Sequence, residues 1–510
     1  MGDRTEGYHD GIDYCHGYYG DLNPLRLRLA FLNAGLVAPV TATACELGFG
    51  QGDSLNLHAA SSMTQWYGTD FNSAHASYAQ ELAAASGATV RIFDESFAEF
   101  CARPDLPDFD FIAMHGVWSW VSEQNRGIIV DFVRRKLKAG GVLYVSYNIS
   151  PGHAAFIPVR EVLTGHAEMN TGRDVAGRLD AAMDFAEKLL TVSPSYTQAN
   201  PGAAKRLSTI KNSDRAYVAH EYFNRDWFPT SFARLSEWLA PAKLDYACSA
   251  NYFETVDAWN FSAEQQALLK EHPDAKFRET VRDLMLNKWF RRDYWVKGLR
   301  KLSLPEKIEA LRSERVVLTR PANKAEVKAT GALGSVVPNK SISEPVLAAL
   351  GDYRPKTLGQ IEQEVTSRGV NLINLVQLVM TLLETNSLSP AQDDAVTRAA
   401  RKQTDKLNAY LCDKAPYRAE AGSVLASPVT GAGLIDVGRV VQFFRQGVSQ
   451  GKKQPNQLAT HAAQLFRSDI MLQEDEKRFV PADGNLDALS AEAAYFTEAL
   501  LPLLKGLHVV

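Results

Sequence analysis

The feature that most constrains the fold of this chain is a regular alternation of short apolar runs and amphipathic stretches over its first 150 residues. Asn23-Pro24 reads as a helix cap followed by proline at the first helical position, "PLRLRLAFLNA" carries the helix, and Gly35 ends it. The strand candidates that follow are "TATACEL", "QWYGTD", "TVRIF", "FDFIAM" and "VLYVSYN". Between them lie "SLNLHAASSM", "SAHASYAQELAAAS" capped by Asn72, and "EQNRGIIVDFVRRKLKA" capped by Ser122 and stopped by Gly140-Gly141. Four to five such repeats specify an α/β fold with a parallel, doubly wound sheet, which binds ligands at the carboxyl ends of its strands.

Beyond this region the pattern turns helical. The spacing predicts a first domain over 1–258 with a helical insertion at about 152–215, in which "DRAYVAHEYFN" and "KLDYACSANYF" read as late strands. A helical middle region is expected over 259–335, with "KATGALGSVVPNKSIS" (328–343) as the best linker. A winged-helix-like module of three helices without a basic recognition helix should occupy 336–395, and a C-terminal domain 396–510. That module is read as a docking or homodimerisation element.

Charge excludes one broad class. Lys+Arg 55 against Asp+Glu 59 gives a formal net charge of −4, without the basic excess that general nucleic-acid binding requires. The five cysteines are scattered and form no C-x-x-C pair, so neither a metal site nor a redox couple is expected and a reducing cytoplasm fits. The opening "MGDRTEGYHDGIDYCHG" lacks the pattern of an export signal, and Asn374 and Gln377 interrupt the most apolar later run, so no membrane span is expected.

The stretch "ACELGFGQGDSLNLH" follows the first strand, where a doubly wound fold holds nucleotides. Gly48, Gly50 and Gly52 are spaced G-x-G-x-G, and Asp53 stands where the dinucleotide fingerprint has its third glycine. A carboxylate there repels phosphate, and no G-K-[ST] ending makes a P-loop. Glu46 at the strand end and Asp53 at the helix start suit a cation lying close to backbone that only glycine leaves open. S-adenosylmethionine, a phosphate-free nucleoside with a sulfonium and an ammonium, is such a ligand. Asp70, ending the second strand 18 residues after Gly52, can accept from both ribose hydroxyls. Asp94 ends the third strand, and with Ser96 and Phe97 it suits an adenine.

"ELGFGQG", "GTDFN", "DESF", "HGVWSWV" and "SYNISPG", in this order, resemble class I S-adenosylmethionine-dependent methyltransferases. With "AHEYFN" and "FRRDYWVKG" the chain is more narrowly similar to bacterial members with a methyltransferase regulatory domain, which include lysine methyltransferases acting on outer-membrane proteins. The resemblance implies a Rossmann-like sheet with helical C-terminal domains. The candidate cofactor set is Glu46, Gly48, Phe49, Gly50, Gly52, Asp70, Phe71, Asp94, Ser96, Phe97 and His115, with Tyr18 and Tyr19 folding over it. In such a fold the methyl group faces the ends of the fourth and fifth strands, here His115, Trp118, Trp120, Tyr147, Asn148 and Pro151.

Methyl transfer from a sulfonium is an in-line displacement that needs alignment, desolvation and a lone pair on the acceptor. Tyr147, Asn148 and His115 are the catalytic candidates. Trp118 and Trp120 present faces for a cationic amine, although paired tryptophans beside a sheet equally suit a core or a lid. His220, Glu221 and Tyr222 are expected at a strand end near the substrate mouth. "NKWFRRDYWVKGLRK" (287–301) has a composition that can stack on nucleic acid, but arginine and lysine stems covering aromatic surface explain it more simply. The expected activity is methyl transfer to an amine, on protein lysine by resemblance. N- or O-methylation of a small molecule or glycan intermediate, or a cofactor-sensing regulator with vestigial catalysis, are the alternatives.

Overall fold

The structure, a computed structural model, describes residues 16–170, 172, 174–415, 424–470 and 486–510; Cys15 and the segment before it lie outside the described residues. Seven strands form the central sheet: β1 (Thr43–Leu47), β2 (Gln65–Thr69), β3 (Val90–Phe93), β4 (Phe109–Met114), β5 (Leu137–Asn148), β6 (Leu244–Ser249) and β7 (Phe290–Lys297). Their order is β3-β2-β1-β4-β5-β7-β6. Strands β1 to β5 pair in parallel, as the βα repeats require, and the order reverses between β1 and β4.

The sheet is mixed rather than wholly parallel, because β7 runs antiparallel between β5 and β6. This strand is the basic and aromatic stretch at 287–301, and it lies beyond the boundary expected at 258. Its residues are taken up by the sheet: Tyr294 and Trp295 are buried, and so is Arg291. Arg291 bonds Asp293, Asp283 and Glu279, and its guanidinium covers the ring of Phe232 at 4.5 Å. Three carboxylates around one guanidinium leave none of its positive charge free for a ligand.

A second correction concerns "DRAYVAHEYFN", which forms a helix (Arg215–Tyr222) and not a strand. Asp214 accepts from the amides of Ala216 and Tyr217 and so caps it, and the buried Val218, Ala219 and Tyr222 fall on one helical face. The helical insertion between β5 and β6 therefore runs from Ser150 through this helix.

The stretch expected as a linker folds as a small hairpin, Ala329–Gly331 with Gly334–Val336, packed so tightly on Trp259 that a Cβ on Gly331 would lie 2.2 Å from its carbonyl oxygen. The three helices that follow (Lys340–Ala349, Leu358–Val365, Leu372–Glu384) are joined by a three-stranded antiparallel sheet. Its central strand, Arg315–Leu318, comes from before the hairpin, so the module begins earlier than 336. The chain then returns to the main sheet. The helix Asp394–Lys414 packs on the helices Asp53–Ser61 and Ser73–Ser86, and Gln392 donates to the carbonyls of Ser61 and Pro428. Cys45, Cys101, Cys248 and Cys412 are free and buried, and no helix among the described residues is long and apolar enough to cross a membrane.

Replacing Arg291 by Met keeps its volume but leaves the two buried carboxylates, Asp283 and Asp293, without their ion partner, while Glu279 keeps Arg282. The expected loss is about 3–5 kcal/mol of unfolding free energy, read from urea denaturation.

Candidate functional site

A cleft of about 920 Å³, partly open to solvent, lies over the carboxyl ends of β1, β2, β3 and β4. The turn after β1 forms its floor. Gly48 (φ +69°) and Gly50 (φ +58°) take the left-handed conformation, and a Cβ on Gly48 would stand 2.7 Å from Val117 Cγ2. The Gly50 amide donates to Asp70 Oδ2 at 2.9 Å, and the Asn72 amide donates to Asp70 Oδ1 at 3.0 Å. Asp70 is thus fixed at the end of β2 before any ligand arrives.

Glu46 is buried in the cleft wall, and its Oε2 has no hydrogen-bond partner. Burial, with Asp70 and Asp53 nearby, pushes its carboxyl up to about 8. His115 closes the other side. Burial holds its pKa down to about 4, and its Nδ1 lies 2.8 Å from the hydroxyl of Tyr144. Tyr19 stacks on the His115 ring at 3.8 Å and roofs the cleft.

The cleft brings together Tyr19, Glu46, Gly48, Phe49, Gly50, Asp70, Phe71, Ser96, Phe97, His115 and Trp120 of the residues singled out in the sequence. Others lie elsewhere for identifiable reasons. Gly52 caps the helix Asp53–Ser61, and a Cβ there would meet Ala79 at 2.6 Å, so it serves close packing. Asp94 is exposed and meets Ser73, while the next residue, Glu95, lines the cleft and pairs with Arg103. Asp53 faces the N-terminal segment, accepting from the Gly17 amide and pairing with His16 at 2.9 Å. The Tyr19 amide adds a bond to Ser54. Asp53 is therefore an anchor for the roof. Tyr18 points away from the cleft and is half-buried against His58 and the C-terminal hairpin (Leu425–Ser427 with Ala432–Leu434), hydrogen-bonded to the backbone of Gly433.

The strand β5 supplies Tyr144 to the cleft side and not Tyr147. Side chains alternate along a strand, and Tyr147 faces the opposite layer, where its hydroxyl donates to Asp293 at 2.7 Å. The Asn148 backbone is held by Ser119 and Thr230. Trp118 is buried edge-on against Trp238. His220, Glu221 and Tyr222 belong to the helical insertion, where Tyr222 packs in its core and burial raises the Glu221 carboxyl to about 7. The cleft adds residues that composition did not flag, namely His75, Glu95, Gly116, Val117, Val121 and Asn125. Strand alternation is the signal that would have found Tyr144, since Tyr144 and Ser146 share the face that meets His115 and Gly116.

Comparison with known proteins agrees with this geometry. The family model described as "Methyltransferase domain" matches residues 45–145, and that described as "Predicted methyltransferase regulatory domain" matches 214–297. The protein sll1526 of Synechocystis sp., itself uncharacterized, is 35% identical over 510 residues, 99% of each chain. An uncharacterized protein of Rickettsia prowazekii is 24% identical over 66% of this chain and 58% of its own. PKMT2 from Rickettsia typhi shares the fold, with a TM-score of 0.68 at 16% identity over 97% of this chain and 99% of that one. The same protein in complex with AdoHcy gives 0.67 at 17% identity over 95% and 98%. The fold and cleft define a class I S-adenosylmethionine-dependent methyltransferase. The chain belongs to the family of such enzymes that carry a methyltransferase regulatory domain. The segment matched by the regulatory model contains β6 and β7, so it completes the sheet.

The residues present fit S-adenosylmethionine. Asp70 offers carboxylate oxygens for the ribose, Phe71, Ser96 and Phe97 border a slot for the base, and the unpartnered Glu46 oxygen suits the ammonium. Among the described lining residues the acidic side chains are Glu46, Asp70 and Glu95, and there is no lysine or arginine.

Gly48→Ala forces a Cβ onto Val117 in a left-handed conformation; it should weaken cofactor binding roughly 10- to 100-fold by calorimetry, for a strain of about 1–3 kcal/mol. Because Glu46 is protonated below about pH 8 in the free site, a cationic ligand must expel that proton. Affinity should therefore rise as pH climbs from 6 to 8 and level off above. Proton release should be visible in buffers of different ionisation heat, and both effects should vanish in Glu46→Gln.

Proposed function

We propose that the chain transfers a methyl group to an amine, and that the amine is a protein lysine. The observation that carries this reading is the acceptor side of the cleft, where Tyr19 and Trp120 present aromatic surface beside a histidine held neutral. The name of the structural neighbour, PKMT2, denotes a protein lysine methyltransferase and supports the choice of acceptor.

The bound cofactor supplies an electrophilic methyl on a sulfonium. The protein's share is placement. Tyr19, stacked on His115, covers the cleft and excludes water, which strips hydration from an incoming amine. A lysine ammonium, with an ordinary pKa of about 10.4, must lose a proton before its lone pair can attack. Desolvation against Trp120 and Tyr19 favours the neutral amine, and water at the open side of the cleft takes the proton. With the cofactor held at Glu46 and Asp70, its carbon–sulfur bond would break as the nitrogen–carbon bond formed, which would leave a methylated amine and a neutral thioether. His115 stays neutral throughout, positioned by Tyr144, whose buried hydroxyl remains protonated.

The test is to incubate the protein with methyl-labelled cofactor and a cell-envelope extract, then locate the label. Label on lysine nitrogen in protein supports the reading. Label on oxygen or in small molecules sinks it. In the same assay Trp120→Ala should lower kcat/KM about 3- to 30-fold through the lost aromatic face, and Trp120→Phe should retain most of it.

A further inference from the structure

Beside the cofactor cleft an aromatic wall leads outward. Trp120, which lines the cleft, stacks on Trp227 at 6.2 Å; Trp227 meets the ring of His153 at 5.2 Å, and His153 meets Trp289 at 4.8 Å. A second route reaches the same point, because Phe290, next to Trp289, lies edge-on to His115 at 6.4 Å. Trp289 and Phe290 are 36% and 39% exposed, so the wall ends at solvent. The loop after β5 is locked onto this end. The Ile149 amide donates to the Trp289 carbonyl, the Gly152 amide donates to the Lys288 carbonyl, and a Cβ on Gly152 would lie 2.5 Å from that oxygen.

Polar groups on either side of Trp289 are unsatisfied in complementary ways. Arg206 lies with its guanidinium 4.7 Å from the Trp289 ring centroid and bonds the Tyr222 hydroxyl, while its buried Nε has no partner. Among the described residues no carboxylate lies within ion-pair distance of it, and Glu221 is near enough to feel its charge without bonding it. A guanidinium carries five donors, and half-burying it with so few acceptors is costly. Its planar fork matches a carboxylate or a phosphate. His153 is the opposite case. It is 4% exposed, its ring bonds the Trp289 backbone, and its Nδ1 has no partner. Burial holds its pKa down to about 4, so one ring nitrogen keeps a free lone pair. A neutral acceptor and a donor-rich cation thus stand one indole apart.

We propose that Arg206 and the exposed indole of Trp289 form a recognition site for the methyl acceptor, and that this acceptor is an amine carried beside an anionic group, a carboxylate or a phosphate. The inference rests on the amine reading above and narrows it to lysines in acidic surroundings. Arg206 donates to the anion, the exposed indole of Trp289 packs on the acceptor's stem, and His153, packed between Trp227 and Trp289 and bonded to the Trp289 backbone, holds that indole in place.

The experiment uses the full chain with S-adenosylhomocysteine present and four capped pentapeptides, their affinities read by calorimetry. The first three have a central lysine between two aspartates, two phosphoserines or two asparagines; the fourth has norleucine between two aspartates. The expected result is at least tenfold tighter binding of an acidic lysine peptide than of the asparagine twin. The tighter of the two acidic peptides identifies the anion. Arg206→Gln should reduce that preference to less than twofold, Arg206→Lys should retain part of it, and unchanged cofactor affinity in both would show an intact fold. His153→Phe should weaken all three lysine peptides alike and leave the charge preference in place. Equal affinity for acidic and neutral peptides, no binding of any peptide, or a preference that survives Arg206→Gln overturns the proposal. If norleucine binds as well as lysine while the preference for acid persists, the amine reading fails and the anion site stands.

Discussion

The rest of the structure depends on β7 being wedged antiparallel between β5 and β6. Its side chains alternate between two charged anchors. On one face Arg291 gathers Asp293, Asp283 and Glu279, and Asp293 receives the hydroxyl of Tyr147. On the other, Arg292 bonds Asp21 and Glu384, both of which also pair with Arg26. That second network ties the segment before the first helix, the catalytic sheet and the helix Leu372–Glu384 into one unit. It also aligns the chain leading to the cleft roof, since the Tyr294 hydroxyl donates to the Asp21 carbonyl two residues after Tyr19. The first residue of β7 and the one before it place Phe290 and Trp289 at the acceptor end of the sheet. A single strand thus connects fold stability to site geometry.

The βα part of the fold was legible because each element has its own local signal. Asn72 and Ser122 cap helices as their positions imply, Gly87 ends one in a left-handed turn, and β1 to β5 fall on the apolar runs. The strand β7 was hidden by its charges. Strands are recognised by apolar alternation, and "FRRDYWVK" buries arginine and aspartate whose partners lie far away in sequence. The helix Arg215–Tyr222 was misread for a related reason, since short aromatic and β-branched runs carry little periodicity of their own.

Within the site, the residues fixed by backbone geometry were the ones legible in sequence. Gly48, Gly50 and Asp70 are joined by turn conformation and a hydrogen bond that spacing implies. Which of two neighbouring residues faces the cleft was not legible, because a shift of one residue at a strand end reverses the side-chain direction. Glu95 rather than Asp94, and Tyr144 rather than Tyr147, follow from that rule. Asp53 shows a different limit. An acid at a helix start has the same sequence signature whether it meets a ligand or a returning segment of chain, and here it holds Gly17 and His16.

Tyr18 and Tyr19 are consecutive, yet one is embedded in the C-terminal hairpin at Gly433 and the other lies over the cofactor cleft. One peptide bond is all that separates the two anchorages. Any ligand that favours Tyr19 in its roofing position therefore also favours Tyr18 in its socket, and by reciprocity whatever draws Tyr18 from that socket loosens the roof. The far end of the chain thus supplies the counterweight for the cleft's cover, through an adjacent pair of tyrosines.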